Sequence, residues 1–152
     1  MVSISKVAIA FLAITATALY VQPYRPVIVS GPSMTPTFDD GALVFSVPVS
    51  RALRRGDIVL VDHDGVTLIK RVTMVPGDQY LEVKPSHVKT WSIAATAATK
   101  RLAREHAISS RVSTIPAGML FITGDNSLNS LDSRSFGLVP IRSVLGVIQP
   151  LA

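Results

Sequence analysis

One serine of the chain lies in a rigid, turn-like segment that suits a nucleophile. Ser33 stands between two prolines in the run Gly31-Pro32-Ser33-Met34-Thr35-Pro36-Thr37. The prolines restrict the backbone, and Gly31 permits close approach of another group. The same pattern fits an ordinary turn, so the residue types alone leave a nucleophile and a plain turn as alternatives.

A serine nucleophile needs a base, and the three histidines are poorly placed to provide one. His63 lies in an acidic turn between two predicted strands, whereas His87 and His106 lie in an irregular basic stretch. No neighbouring residues would orient these rings, so a Ser-His-Asp triad has weak support. The chain contains no cysteine, which excludes a cysteine nucleophile, a disulfide framework and cysteine-ligated metal sites.

Lys70 is the alternative base. It lies inside the apolar strand pattern Leu68-Ile69-Lys70-Arg71-Val72, where a lysine is disfavoured unless it is exposed or used. A lysine has an unperturbed pKa of about 10.4, so it is almost fully protonated at neutral pH. Burial among apolar side chains can lower that pKa by about 3–5 units. Two hypotheses follow: Lys70 is a general base, or it is a strand lysine whose amine reaches solvent.

A third polar segment is the loop of residues 124–137, which is rich in Gly, Asp, Asn and Ser. A simple turn does not need this length. Such a loop either binds a ligand or stabilises the structure through side-chain hydrogen bonds. Calcium binding is disfavoured because the acidic residues lack the regular spacing and terminal glutamate of an EF-hand.

The elements that must position these segments are predicted to be strands. Residues 58–61 and 66–72 flank the turn Asp62-His63-Asp64-Gly65 and predict a β-hairpin. Further short apolar runs bounded by Pro and Gly predict strands at residues 27–30, 42–47 and 139–148. Residues 92–108 contain neither Gly nor Pro and are rich in alanine, which predicts a helix there.

The N-terminal residues are predicted to lie in a membrane or to direct export. Residues 7–24 form 18 consecutive uncharged positions, a helix of roughly 27 Å against a hydrocarbon core of about 30 Å. Lys6 and the small residues Ala16 and Ala18 also fit a cleavable signal peptide. Pro23 and Pro26 end the helix. The residues leave an anchor and a removed signal peptide as alternatives.

Composition agrees with one membrane-associated domain. The chain has 152 residues, 48% of them hydrophobic, and a net charge of +5. We expect an N-terminal segment at 1–24 and one β-rich domain at 25–152, with a basic insertion at about 79–118. The insertion is interpreted as a solvated surface, and a patch for anionic lipid is the alternative. Nucleic acid is an unsuitable partner because aromatic residues are few and no binding motif is present.

Taken together, the three polar segments resemble motifs of the type I signal peptidases, membrane-anchored proteases with a Ser/Lys dyad. The run from Ser30 to Phe38 resembles the nucleophile motif of that family, and Arg55-Gly56-Asp57-Ile58-Val59 resembles its second conserved strand. Ile69-Lys70-Arg71-Val72 with Val75-Pro76-Gly77-Asp78 resembles the lysine motif. Gly124-Asp125-Asn126, Asn129-Ser130 and Asp132-Ser133-Arg134 resemble the last one. The four motifs occur in the family's order.

The resemblance implies a role for each matching residue. Ser33 is the nucleophile and Lys70 the general base. Ser130 accepts a hydrogen bond from Lys70, and Asp132 pairs with Arg71 and Arg134. Gly31 occupies a position where some members carry a hydroxyl donor to the oxyanion, so that donor is missing here. The implied apolar substrate subsites are lined by Val27, Val29, Phe38, Val44 and Ile69.

The resemblance also implies a fold, a reaction and a location. We expect a transmembrane helix followed by a compact antiparallel β-sheet domain with a small, partly helical insertion. Its activity is cleavage of signal peptides from exported preproteins after small residues, without a metal or organic cofactor. The expected partners are preproteins, the lipid bilayer and the secretion translocon. The expected location is the bacterial cytoplasmic membrane, with one span and the catalytic domain on the outer side.

Several alternatives stay open. A specialised processing peptidase of a secretion or conjugation system, or one of the mitochondrial inner membrane, would carry the same motifs. The self-cleaving repressors share the Ser/Lys chemistry, but they usually carry a DNA-binding domain and no anchor. A non-catalytic secreted β-domain with a removed signal peptide is the non-enzymatic alternative.

Overall fold

The chain folds mainly into antiparallel β-sheet. The computed structural model describes residues 7–9, 11–15, 24–84, 92–93, 101 and 109–149. Its strands are β1 (Arg25–Ile28), β2 (Leu43–Val47), β3 (Ile58–His63), β4 (Val66–Met74), β5 (Gln79–Lys84), β6 (Ser92–Ile93), β7 (Ser109–Thr114), β8 (Met119–Thr123), β9 (Val139–Pro140) and β10 (Val144–Gln149). Short helices cover Pro32–Met34, Ser133–Phe136 and Ile141–Ser143. The antiparallel β fold expected from the sequence is confirmed.

The main sheet has seven strands in the order β1-β2-β10-β3-β4-β8-β9. Its centre is the predicted hairpin of β3 and β4, which turns at Asp64 and Gly65. Both residues have positive φ, 52° and 79°, as a type I′ turn requires. Because this turn fixes the register, Lys70 lies directly opposite Val59, deep in the sheet.

Both faces of the main sheet are covered, which explains the unbroken apolar run in β3. Val59 and Val61 belong to one buried cluster, whereas Ile58 and Leu60 pack in another. Successive strand residues point to opposite faces, so a strand buried on both faces has no polar positions along its centre. A lysine in the neighbouring strand therefore enters an apolar environment.

The insertion is a second, small sheet in which β5 lies between β6 and β7. The predicted helix of residues 92–108 is wrong at its start, because Ser92 and Ile93 pair with Val83 and Glu82 of β5. Strand pairing there outweighs the helical preference of the alanines that follow. Arg101 is helical. The other residues of that prediction, with His106, lie outside the described residues, as does His87.

The N-terminal segment is described in part. Residues 7–9 and 11–15 are helical, and Phe11 and Leu12 expose more than 70% of their surface. Within the described ranges, no helix combines the length and the apolar character needed to cross a bilayer.

Candidate active site

Ser33 is presented on a short 3-10 helix, Pro32–Met34, between β1 and β2. Gly31 precedes it with a φ of 84°, a conformation that favours glycine, and its N–H donates to Asp40 Oδ1 at 2.8 Å. The next residue, Met34, is fully buried and packs in the cluster that contains Val29. The turn is thus fixed on both sides of Ser33, which is half-buried and lines a groove.

Lys70 brings its amine to this serine. Lys70 Nζ lies 2.9 Å from Ser33 Oγ and donates to the carbonyl oxygen of Ile69 at 3.0 Å. Only 3% of the lysine surface is exposed. Of the two hypotheses for Lys70, the structure therefore excludes the strand lysine that reaches solvent.

The surroundings of Lys70 disfavour its charged form. Burial lowers the pKa of the Lys70 amine; the carboxylate of Asp132 opposes this effect, and the guanidinium of Arg134 adds to it. The net direction is downward. A lowered pKa increases the fraction of neutral amine, the form that can accept a proton.

Asp132 is the buried carboxylate that organises the last polar segment. It is fully buried, caps the helix Ser133–Phe136, and accepts hydrogen bonds from the Gly124 N–H at 2.8 Å and from Arg134 Nε at 2.8 Å. Burial raises the pKa of Asp132, but the hydrogen bonds from Arg134, Gly124 and Ser130 outweigh it and lower the pKa to about 2. The carboxylate is therefore ionised, and both of its oxygens accept hydrogen bonds.

The expected pairing of Asp132 with two arginines is correct for Arg134 and wrong for Arg71. Arg71 donates to both carboxylate oxygens of Asp125, at 2.8 and 2.7 Å. The reason is the register of the sheet: Arg71 pairs with Thr123, so the residue that arrives beside its side chain is Asp125. The sequence motif contains both aspartates, and their spacing alone does not assign the partners.

Asp125 and Asn126 tie the nucleophile turn to the lysine strand, a role that the sequence did not indicate. Thr37 Oγ1 donates to Asp125 Oδ2 at 2.5 Å, and Asn126 Nδ2 donates to Thr35 Oγ1 at 3.0 Å. The Asn126 N–H also donates to the Ser33 carbonyl oxygen at 3.0 Å. The only hint of this role in the sequence was that Asp125 and Asn126 belong to the Gly-Asp-Asn motif.

Ser130 lies beside the dyad with its hydroxyl turned to the buried carboxylate. Ser130 Oγ donates to Asp132 Oδ2 at 2.7 Å. Gly124 lies against both Ser130 and the nucleophile turn: a Cβ at position 124 would collide with Ser130 Oγ and lie 2.5 Å from the Ser33 carbonyl oxygen. The expected hydrogen bond from Lys70 to Ser130 is wrong for this structure, because Lys70 Nζ donates to Ser33 and Ile69 while the Ser130 hydroxyl is directed to Asp132.

A groove of about 350 Å³ runs past Ser33 and Lys70. Three of the five predicted subsite residues, Val27, Val29 and Ile69, line it. Phe38 and Val44 belong to the same apolar cluster as these three but do not line the groove. Leu131, from the last polar loop, lines the groove and was missing from the sequence prediction.

His63 ends β3, and its ring stacks on Phe136 with ring centroids 4.0 Å apart. Its imidazole thus packs against the short helix Ser133–Phe136, as a structural contact.

Comparison with known proteins identifies the family. A family model described as signal peptidase, peptidase S26, matches residues 2–151. Signal peptidase I of Bacillus licheniformis is 30% identical over 152 residues, which cover 91% of this chain and 80% of that protein. Mitochondrial inner membrane protease subunit 1 of Mus musculus is 34% identical over 128 residues, 80% of this chain but only 65% of the mouse protein.

One solved relative completes the comparison. The crystal structure of a signal peptidase I from Enterococcus faecalis is 28% identical in sequence and covers 65% of this chain and 98% of its own, with a TM-score of 0.42. The family model, which spans nearly the whole chain, confirms the resemblance of the four motifs. The chain belongs to the signal peptidase family, peptidase S26, and so to the serine endopeptidases.

Proposed function

We propose that this chain is a membrane-anchored endopeptidase that removes signal peptides from exported preproteins, with Ser33 as nucleophile and Lys70 as general base. The observation that carries the proposal is the 2.9 Å distance from Lys70 Nζ to Ser33 Oγ, made by an amine that is almost fully buried. Burial and hydrogen-bond distance are the two requirements for a lysine base.

The reaction is acyl transfer. Neutral Lys70 accepts the proton of Ser33 as Oγ attacks the scissile carbonyl. The C–N bond then breaks, the Lys70 ammonium gives its proton to the leaving amine, and the acyl-enzyme remains. Water, deprotonated by the neutral Lys70, attacks the ester, and Ser33 regains its proton as the acid product leaves. The Ser33 N–H binds the developing oxyanion, since N–H groups in the first turn of a helix have no acceptor within the helix. The Gly31 N–H already donates to Asp40, so Gly31 does not donate to the oxyanion. Its contribution is the backbone conformation that begins the nucleophile turn.

Ser130, Asp132 and Arg134 support the base in this proposal. The Ser130 hydroxyl donates to Asp132, which leaves its oxygen lone pairs to accept from the Lys70 ammonium that forms during attack. Arg134 neutralises Asp132, so that the carboxylate does not hold Lys70 in its charged form. Arg71 stabilises the nucleophile turn through Asp125.

Substrate and location follow from the groove and from residues 7–24. The apolar lining of the groove, Val27, Val29 and Ile69 included, suits an extended peptide with small residues at the first and third positions before the cut. Ser33 lies nine positions after Tyr24, which keeps the site near the surface of a bilayer that holds residues 7–24. We place the domain on the outer side of a bacterial cytoplasmic membrane.

The proposal is tested by cleavage of a preprotein with detergent-solubilised full-length protein. Ser33→Ala, Lys70→Ala and Lys70→Arg should each lose at least about a hundredfold in rate, the lower end of what general-base catalysis contributes. Lys70→Arg should be inactive because a guanidinium is not deprotonated in proteins and cannot act as a general base. Ser127→Ala, an exposed serine of the same polar loop, is the matched control and should keep its activity.

Product analysis completes the test. The new N-terminus should follow a small residue, and the wild type should release one intact signal peptide. Normal cleavage by Ser33→Ala would refute the nucleophile. Normal cleavage by Lys70→Arg would refute the lysine base.

A further inference from the structure

Leu131 is a large apolar residue that stands in the catalytic groove while 64% of its surface is exposed. Isolated exposed leucines are common on protein surfaces and need no explanation. Leu128, three positions earlier in the same loop and 91% exposed, is such a residue, and it does not line the groove. Leu131 differs because it shares one concave surface with Ser33 and Lys70.

The backbone around Leu131 is held rigidly. Its neighbour Ser130 donates to Asp132, and Asp132 is fully buried with hydrogen bonds to the Gly124 N–H and to Arg134. Leu131 is therefore fixed on both sides by one carboxylate network. A side chain fixed in this way can contact a ligand without a large entropic cost of ordering the loop.

The position of Leu131 is at the catalytic end of the groove. Ser130 Oγ and the Ser33 carbonyl oxygen both lie within 2.5 Å of the point where a Cβ of Gly124 would be, so the residue after Ser130 is close to the reacting serine. The groove is also lined by Val27 of β1, by Val29 just after that strand, and by Ile69 of β4. A peptide side chain near the scissile bond would thus lie in a groove that Leu131 shares with these apolar residues.

We propose that Leu131 is a specificity-determining residue, which narrows the catalytic end of the groove and excludes large side chains from a substrate position beside the scissile bond. The inference rests on the proposed function, because it needs a peptide bound across Ser33. It assigns to this loop a role in substrate choice in addition to its support of the lysine.

The test is a library of peptides or preproteins in which each position around the cut is varied from Ala to Val, Leu and Phe. Leu131→Ala should raise kcat/KM for the larger residues relative to Ala at one position by about tenfold, the discrimination that one or two methylene groups provide in an apolar pocket. Leu131→Met, which nearly keeps the volume, should retain the wild-type profile. Leu128→Ala is the matched control and should also leave the profile unchanged.

The outcomes separate this inference from the proposed function. If wild type cleaves the library, Ser33→Ala does not, and Leu131→Ala has the wild-type profile at every position, Leu131 has no role in specificity although the protease assignment stands. An equal shift with Leu128→Ala would also overturn the inference. If wild type and Ser33→Ala both fail to cleave, the proposed function falls and this inference falls with it.

Discussion

At the scale of single residues, the proposed mechanism requires a neutral Lys70 near the buried carboxylate of Asp132. Asp132 raises the pKa of Lys70, whereas burial and Arg134 lower it. Arg134 satisfies the carboxylate directly through its Nε, 2.8 Å from Asp132 Oδ1. The ion pair between Arg134 and Asp132 thus offsets the effect of the carboxylate on the pKa of Lys70, and it also satisfies a buried charge.

Arg134→Gln should slow the enzyme by raising the pKa of Lys70. Without the guanidinium, Asp132 stabilises the ammonium form, so less Lys70 is neutral at pH 7. We expect kcat/KM to fall roughly tenfold near neutral pH and to recover in alkali, because the rate follows the deprotonated fraction. The measurement is the pH profile of kcat/KM, whose acidic limb should move to higher pH.

Arg134→Lys keeps the positive charge and is the control for this prediction. Its acidic limb should move less than that of Arg134→Gln. A limb that stays at the wild-type pH in Arg134→Gln, together with a uniformly lower rate, would mean that Arg134 acts only as a structural residue.

The proximity of Ser33 and Lys70 was predictable from sequence, but the pairing of the charged residues around them was only partly so. Ser33 lies in a distinctive Pro-flanked turn, and Lys70 is an anomaly within an apolar strand. Two aspartates of the last motif, Asp125 and Asp132, could pair with Arg71. The register of β4 with β8 determines that the partner is Asp125. Register of distant strands is a tertiary property that no local pattern contains.

At the scale of elements, the site exists because the end of β8 meets the nucleophile turn with almost no space between them. Gly124 follows β8 directly, and the Asn126 N–H donates to the Ser33 carbonyl oxygen at 3.0 Å. The glycine is required here by close approach, since a Cβ would overlap with Ser130 and with the backbone of Ser33.

Gly124→Ala should therefore separate Ser33 from Lys70. We expect kcat to fall at least about tenfold and stability to fall by about 1–3 kcal/mol, the usual cost of inserting a methyl group into a closely packed site. The measurements are turnover and chemical unfolding of the same preparation.

Gly146→Ala is the matched control, because its Cβ would crowd Ser46 and the Val47 carbonyl oxygen in β2. It should lose stability while the folded enzyme keeps its kcat. If Gly124→Ala also keeps its kcat, close approach at Gly124 does not set the dyad geometry.

The sequence predicted elements well where local chemistry decides them. The β3–β4 hairpin follows from Asp64 and Gly65, which adopt the positive φ of a type I′ turn. The start of the predicted helix at Ser92 fails because β6 forms only by pairing with β5, which lies several residues away in the chain. The apolar runs indicated strands but not their order in the sheet.

At the scale of the whole molecule, the proposed catalytic role of Lys70 has a cost in stability. Its pKa is lowered in the folded protein, so the unfolded chain binds more protons at pH values between the lowered pKa and the ordinary one. Stability therefore rises as the pH rises from the lowered pKa towards the ordinary value of about 10.4. At pH values below the lowered pKa, Lys70 is charged in both states, and the folded protein bears the full free-energy cost of burying the ammonium group.

Lys70→Met removes this cost while nearly keeping the length of the side chain. The variant should be more stable than wild type at pH 7 by about 1 kcal/mol, as often found when a functional group is removed from an active site. The difference should shrink as the pH rises, because the wild-type cost declines. Denaturant unfolding at several pH values measures it.

The most direct test of the central claim is the turnover of Lys70→Met on a preprotein, measured on the same preparation whose stability is known. We expect a folded protein, at least as stable as wild type, with a rate reduced about a hundredfold or more. A well-folded Lys70→Met protein that cleaves at the wild-type rate would contradict the assignment of Lys70 as general base, because Ser33 would then work without it.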